Sequence, residues 1–169
     1  MYDIIAQGIG IIGAVLIIGS YQCKKNKSLV FTQFLGSSCF VINYLMLSAY
    51  TGCFMNATGS LRNLIFLSGQ KARKIWILVL ICLLLISGTI ITWGGFLSLL
   101  PFLGMFSVTI AMYSDNGKYI RMAQLFISSP CWLIYNFVSG TIGGVICEVF
   151  VIASTVISII RYGFDGFEK

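Results

Sequence analysis

The 169 residues contain no histidine, only two prolines, and 11 basic and 5 acidic side chains, so that charged residues make up 9% of the chain. A soluble domain carries about 25% charged residues. With 58% of residues hydrophobic, this chain has lipid as its main solvent, and the composition is that of a membrane protein. The absence of histidine removes the usual general base and the usual partner of cysteine in a metal set, and leaves only carboxylates for acid–base work. The six cysteines form no Cys-x-x-Cys pair, and they read as small apolar residues packed between helices. We therefore expect no enzyme, no metal and no cofactor. Cys147 beside Glu148 is the one adjacent nucleophile–acid pair, but sequence neighbours on a helix point about 100° apart. The formal charge of +6 comes from short basic groups between apolar runs, which is not the stripe that nucleic acid requires.

What is present is a repeat. Displaced by 91, the segment Lys27–Gly52 meets Lys118–Gly143 with seven identities in 26 pairs: Lys27/Lys118, Gln33/Gln124, Ser37/Ser128, Ser38/Ser129, Tyr44/Tyr135, Ser48/Ser139 and Gly52/Gly143. Gly13 and Gly104 also align, which extends the repeat one span upstream.

At about 20 residues per crossing, or 17 at the short end, the chain divides into seven predicted spans beginning near Ile4, Leu29, Cys53, Trp76, Phe96, Tyr119 and Val145. Thr51-Gly52 and Gly140–Gly144 are predicted as tight turns. Trp76 and Trp93 bracket the fourth span, about 26 Å apart along a helix, as for rings at two interfaces. The first span has no basic leader and no cleavage pattern, so it is expected to be retained. The predicted fold is an all-α membrane protein, one domain over 1–169. Three helices (about 4–67), a linker helix (about 75–93) and three more (about 95–161) would place two parallel repeats about an axis along the membrane normal. Lys24, Lys25, Lys27, Lys71, Arg73, Lys74, Lys118 and Arg121 fall at the odd-numbered loops, which puts those loops and the C-terminus in the cytoplasm and the N-terminus outside.

Counted from the outer ends of the spans, Gln7, Asn43, Asn56, Asn136 and Glu148 form one polar layer, with Arg62 and Asn63 deeper. Ionisable groups in hydrocarbon are costly, so Glu148 and Arg62 are expected to face a wet interior between the two bundles, or to pair with each other. The expected solute site comprises Trp132, Asn136, Glu148, Asn56 and Arg62. Gln7, Asn43, Asn63 and Tyr135 support it, with helix-joining hydrogen bonds as the plainer reading of the amides. Trp132 and Tyr135 offer a stacking face or simple packing. Pro101 and Pro130, in the fifth and sixth spans, are expected hinges.

The sequence resembles the YgjV family of bacterial inner-membrane proteins. The resemblance rests on Ala6-Gln7-Gly8, on Leu99-Leu100-Pro101 with Gly104, and on Cys131-Trp132, Tyr135-Asn136-Phe137, Gly140, Ile142-Gly143-Gly144, Glu148 and Ile159-Ile160-Arg161. It implies an inner-membrane location and names no substrate. The family often carries histidine where this chain has Tyr135, so no proton-relay role is carried to that residue. The three-one-three layout is similar to that of SWEET and PnuC transporters, without their Pro-Gln motif, since Phe102 follows Pro101. That likeness is one of architecture. The expected function is alternating-access movement of a small polar solute. The alternative is a non-transporting membrane partner or assembly protein whose polar layer only packs helices. Oligomerisation is not required by either.

Overall fold

The computed structural model describes residues 2–69 and 74–163; Lys71 and Arg73 lie outside the described residues. Helices α1 (Tyr2–Ser20), α2 (Asn26–Met46), α3 (Tyr50–Leu67) and α4 (Ile75–Ile91) are followed by a 3₁₀ turn (Phe96–Ser98) leading into α5 (Leu99–Tyr113). Then α6 (Gly117–Ala123), a π-turn (Gln124–Ser128) and α7 (Ser129–Val138) run on from one another, before α8 (Ile142–Tyr162).

Among the described residues, three helices are long and apolar enough to cross a membrane, at 27–46, 96–113 and 142–162, and Ile4–Ser20 and Ile75–Ile91 are shorter apolar helices. Because lipid does not drive apolar helices together, their association depends on close backbone approach, and glycines provide it here. A Cβ on Gly13 would come within 3.1 Å of the Gly36 carbonyl, joining α1 to α2, and one on Gly143 would come within 3.2 Å of the Gly10 backbone, joining α8 to α1.

Pair by pair, α1 packs on α2, α2 on α3, α3 on α5, α5 on the α6–α7 body, α7 on α8 and α8 back on α1. These six bodies close a ring. Helix α4 lies outside it, against α3 and α5, with Ile81, Leu85, Gly88 and Thr89 buried and most of its other large apolar side chains exposed.

Two local predictions are corrected. The second connection is not Thr51-Gly52, which belong to the first turn of α3. It is Leu47–Ala49, where Ser48 takes φ 56° and the Ala49 N–H reaches back to the Tyr44 carbonyl at 2.9 Å. Gly140 at φ 67° ends α7 the same way, with Thr141 N–H on the Asn136 carbonyl at 3.0 Å. Both are Schellman ends, in which a left-handed residue lets the chain satisfy orphan carbonyls. Of the predicted turn Gly140–Gly144, the last three residues already belong to α8.

The prolines differ from each other. Pro101 is buried in the first turn of α5, where a missing N–H costs little, whereas Pro130 follows the π-turn directly. There the Ser129 N–H bonds to the Gln124 carbonyl, five residues back. That turn takes up one more residue than an α-helix would, and π-turns are frequent at functional sites.

Candidate functional site

Inside the ring is a cavity of about 60 Å³ lined from all six bodies. At about 10–15 Å³ for each water-sized group, it holds roughly four to six. The five residues expected to bind solute, Asn56, Arg62, Trp132, Asn136 and Glu148, all line it.

Glu148, on α8, is 9% exposed. Ser129, whose hydroxyl accepts from Gln124 Nε2 at 2.9 Å, lies within electrostatic reach of the Glu148 carboxyl. The second carboxyl oxygen, Oε2, is buried without a partner. Arg62, on α3, is 3% exposed. It donates from Nε and Nη2 to Asn63 Oδ1, at 3.1 and 2.9 Å, and from Nη1 to Thr109 Oγ1 at 2.9 Å. The ion pair that the sequence left open does not form: Arg62 bonds neutral acceptors, and Glu148 Oε2 is left without a partner. Both charges therefore face the same small space without facing each other, and Tyr21 lies within electrostatic reach of both.

The supporting residues divide. Asn63 orients Arg62, as above. Gln7 accepts from the Gly143 N–H at 3.2 Å, and Asn43 donates to the Ala6 carbonyl at 2.7 Å, so these two join helices outside the cavity. Tyr135 lines a different space, a cleft of about 600 Å³ bordered by Ser48–Thr51, the end of α4, Ser98 and Ser139. Between cleft and cavity lies an aromatic layer in which Tyr44 packs on Trp132 and Tyr135 with ring centres 5.9 and 6.4 Å apart. Tyr44 donates to Asn136 Oδ1 at 2.6 Å, and Tyr135 Oη accepts from the Gly52 N–H at 3.0 Å. Tyr135→Phe orphans that buried N–H, and thermal unfolding in detergent is expected to show a loss of about 1–2 kcal/mol.

Across the cavity from this layer, Arg121 donates to the Cys23 and Gly117 carbonyls at 3.1 and 3.2 Å and to Ser158 Oγ at 3.4 Å. Gln22 donates to Ser154 Oγ at 2.6 Å. The end of α1 is thus tied to α6 and α8.

Sequence reasoning passed over Tyr21, Gln33, Ser37, Tyr44, Gln124, Ser128 and Cys147, all of which line the cavity. A signal was available for several of them, because Gln33/Gln124 and Ser37/Ser128 are identities at spacing 91.

Residues 4–165 match the family Imp-YgjV, described as bacterial inner membrane protein. The chain belongs to the YgjV family of bacterial inner-membrane proteins. Inner membrane protein YgjV of Escherichia coli (strain K12) is 25% identical over 170 residues, covering 97% of this chain and 91% of that protein. No solved structure matches this member of the YgjV family. For a YgjV-family chain, a charged and amide-lined interior belongs in the low-dielectric part of a membrane protein, where a buried ionisable group marks function by default.

Proposed function

We propose that the chain is a non-enzymatic transporter of small polar solutes, in which two three-helix halves move about the interior cavity. The observation that carries this reading is the way the cavity lining pairs off between the halves. Up to the π-turn the spacing is 91: Ile17 with Val108, Gln33 with Gln124, and Ser37 with Ser128 all line the cavity. Beyond it the extra residue makes the spacing 92, and Phe40 with Trp132, Tyr44 with Asn136 and Asn56 with Glu148 line it as well.

The close contacts pair in the same register. Gly13 packs on Phe40 as Gly104 packs on Trp132, and Gly52 packs on Tyr44 as Gly144 packs on Asn136. The identities Tyr44/Tyr135, Ser48/Ser139 and Gly52/Gly143 are then neighbours of the true mates, one residue out. Parallel repeats whose mates meet in one cavity are the arrangement in which rocking one half on the other opens either end. The layer of Tyr44, Trp132 and Tyr135 closes the end toward the large cleft, and Arg121 with Gln22 closes the other. In this reading seven spans cross the inner membrane, the Arg121 end faces the cytoplasm by the positive-inside rule, α4 joins the halves, and one chain is a complete unit.

Cys147 lines the cavity and is 2% exposed, which makes it a native reporter. In a chain with the other five cysteines replaced by alanine, a membrane-impermeant methanethiosulfonate is expected to label Cys147 from outside in right-side-out vesicles and from the cytoplasmic side in inverted ones. Labelling from neither side, or from one side only, refutes alternating access at this cavity.

A further inference from the structure

The cavity holds one cationic and one anionic side chain, and neither has an ionic partner there. Arg62 uses its fork on Asn63 and Thr109, both neutral, and Glu148 has one oxygen with no partner at all. Burying a charge unpaired is expensive, and retaining two of opposite sign, on α3 and α8, around one space is a requirement placed on what fills it. A lone anion satisfies Arg62 and is repelled by Glu148. A lone cation does the reverse, and an uncharged polyol leaves both charges without an ion. Only a net-neutral solute with both signs meets both demands and adds no net charge to the interior. Bonded atoms pack closer than separate waters, so a space of about 60 Å³, room for roughly four to six waters, limits such a solute to about five to eight non-hydrogen atoms. Trp132, Tyr44 and Phe40 on the same wall provide ring faces that attract an ammonium group.

Building on the transporter reading above, we propose that the solute is a small zwitterion, of the size of a short amino acid or a betaine, its carboxylate on Arg62 and its ammonium on Glu148. The guanidinium meets the carboxylate through the N–H groups not turned to Asn63 and Thr109. The ammonium lies between the free Glu148 oxygen and the aromatic wall.

The test measures the melting temperature of the detergent-purified protein against glycine, L-alanine and glycine betaine. Acetate and ethylammonium serve as the two single-charge halves, and glucose as an uncharged control. At least one zwitterion is expected to raise stability in a concentration-dependent way, with an apparent affinity about tenfold or more above either half. Arg62→Gln and Glu148→Gln are each expected to weaken that affinity by about ten- to a hundredfold. If either variant fails to fold, Arg62→Lys and Glu148→Asp take its place, and the wild-type ranking of whole zwitterion against halves decides in any case. Equal effects of acetate and betaine, a response to glucose alone, or no response to any zwitterion overturns the zwitterion assignment. Counterflow in proteoliposomes separates the two levels. A zwitterion that binds at Arg62 and Glu148 without crossing the membrane overturns transport and leaves the ligand class standing. Counterflow of an uncharged or singly charged solute through this cavity does the opposite.

Discussion

Gly144→Ala is expected to destabilise the protein by about 3 kcal/mol, read from thermal unfolding in detergent. A Cβ built there falls 2.5 Å from Asn136 Cγ and 2.7 Å from both terminal atoms of that side chain. Asn136 can yield only toward the cavity, at the cost of its bonds. It is 1% exposed, accepts the Tyr44 hydroxyl at 2.6 Å, and its own carbonyl holds the Thr141 N–H at the end of α7. The added methyl group therefore displaces the amide and strands the phenol of Tyr44. Gly8→Ala is the matched control. Nothing lies within 4 Å of a Cβ there, and replacing a mid-helix glycine is expected to leave stability unchanged or to raise it by up to about 1 kcal/mol. If both substitutions behave alike, the close packing of Asn136 on Gly144 does not exist in the folded protein.

The second large effect is expected from Arg121→Met. It keeps the volume of the side chain and removes hydrogen bonds to the Cys23 carbonyl, the Gly117 carbonyl and Ser158. Removing these bonds leaves acceptors without donors, and a net loss of about 2–4 kcal/mol is expected, with a rise in proteolysis near Cys23 as the end of α1 comes free. Arg121→Lys recovers only part, because an ammonium cannot reproduce a planar fork that serves three elements. Lys24→Met, on an exposed neighbour, is expected to stay within about 0.5 kcal/mol.

The all-helical membrane character was legible in the sequence because it is written in composition: long apolar runs punctuated by basic groups. The bounds of α3 to α5 agree with the predicted spans to within a few residues. The cavity was legible because buried charge is rare enough in such a chain to point inward wherever it occurs, and Arg62 and Glu148 both do. What could not be read was local backbone geometry. Gly52 looked like a turn glycine, yet its lack of a side chain serves the approach of Tyr44 and Tyr135. Ser48, an ordinary residue by type, takes the left-handed conformation that makes the turn. The π-turn before Pro130 also left no trace in composition. In the proposed pairing of the halves it is what shifts the register from 91 to 92, so that Phe40 and Trp132, unlike in type, answer each other.

In the proposed pairing of the halves, the two charged residues are ones whose mates carry no charge. Gln33 answers Gln124 and Ser37 answers Ser128, but Asn56 answers Glu148, and Arg62 answers Ser154, which turns away to Gln22. A dimer of identical halves would present each charge twice and so produce no net field along the line joining the halves. On the proposed two-half arrangement, joining the halves in one polypeptide leaves them free to differ, and a single guanidinium on α3 with a single carboxylate on α8 around one cavity makes the interior a fixed electric dipole. Its direction is set once by the sequence, so whatever enters is held in one orientation rather than two.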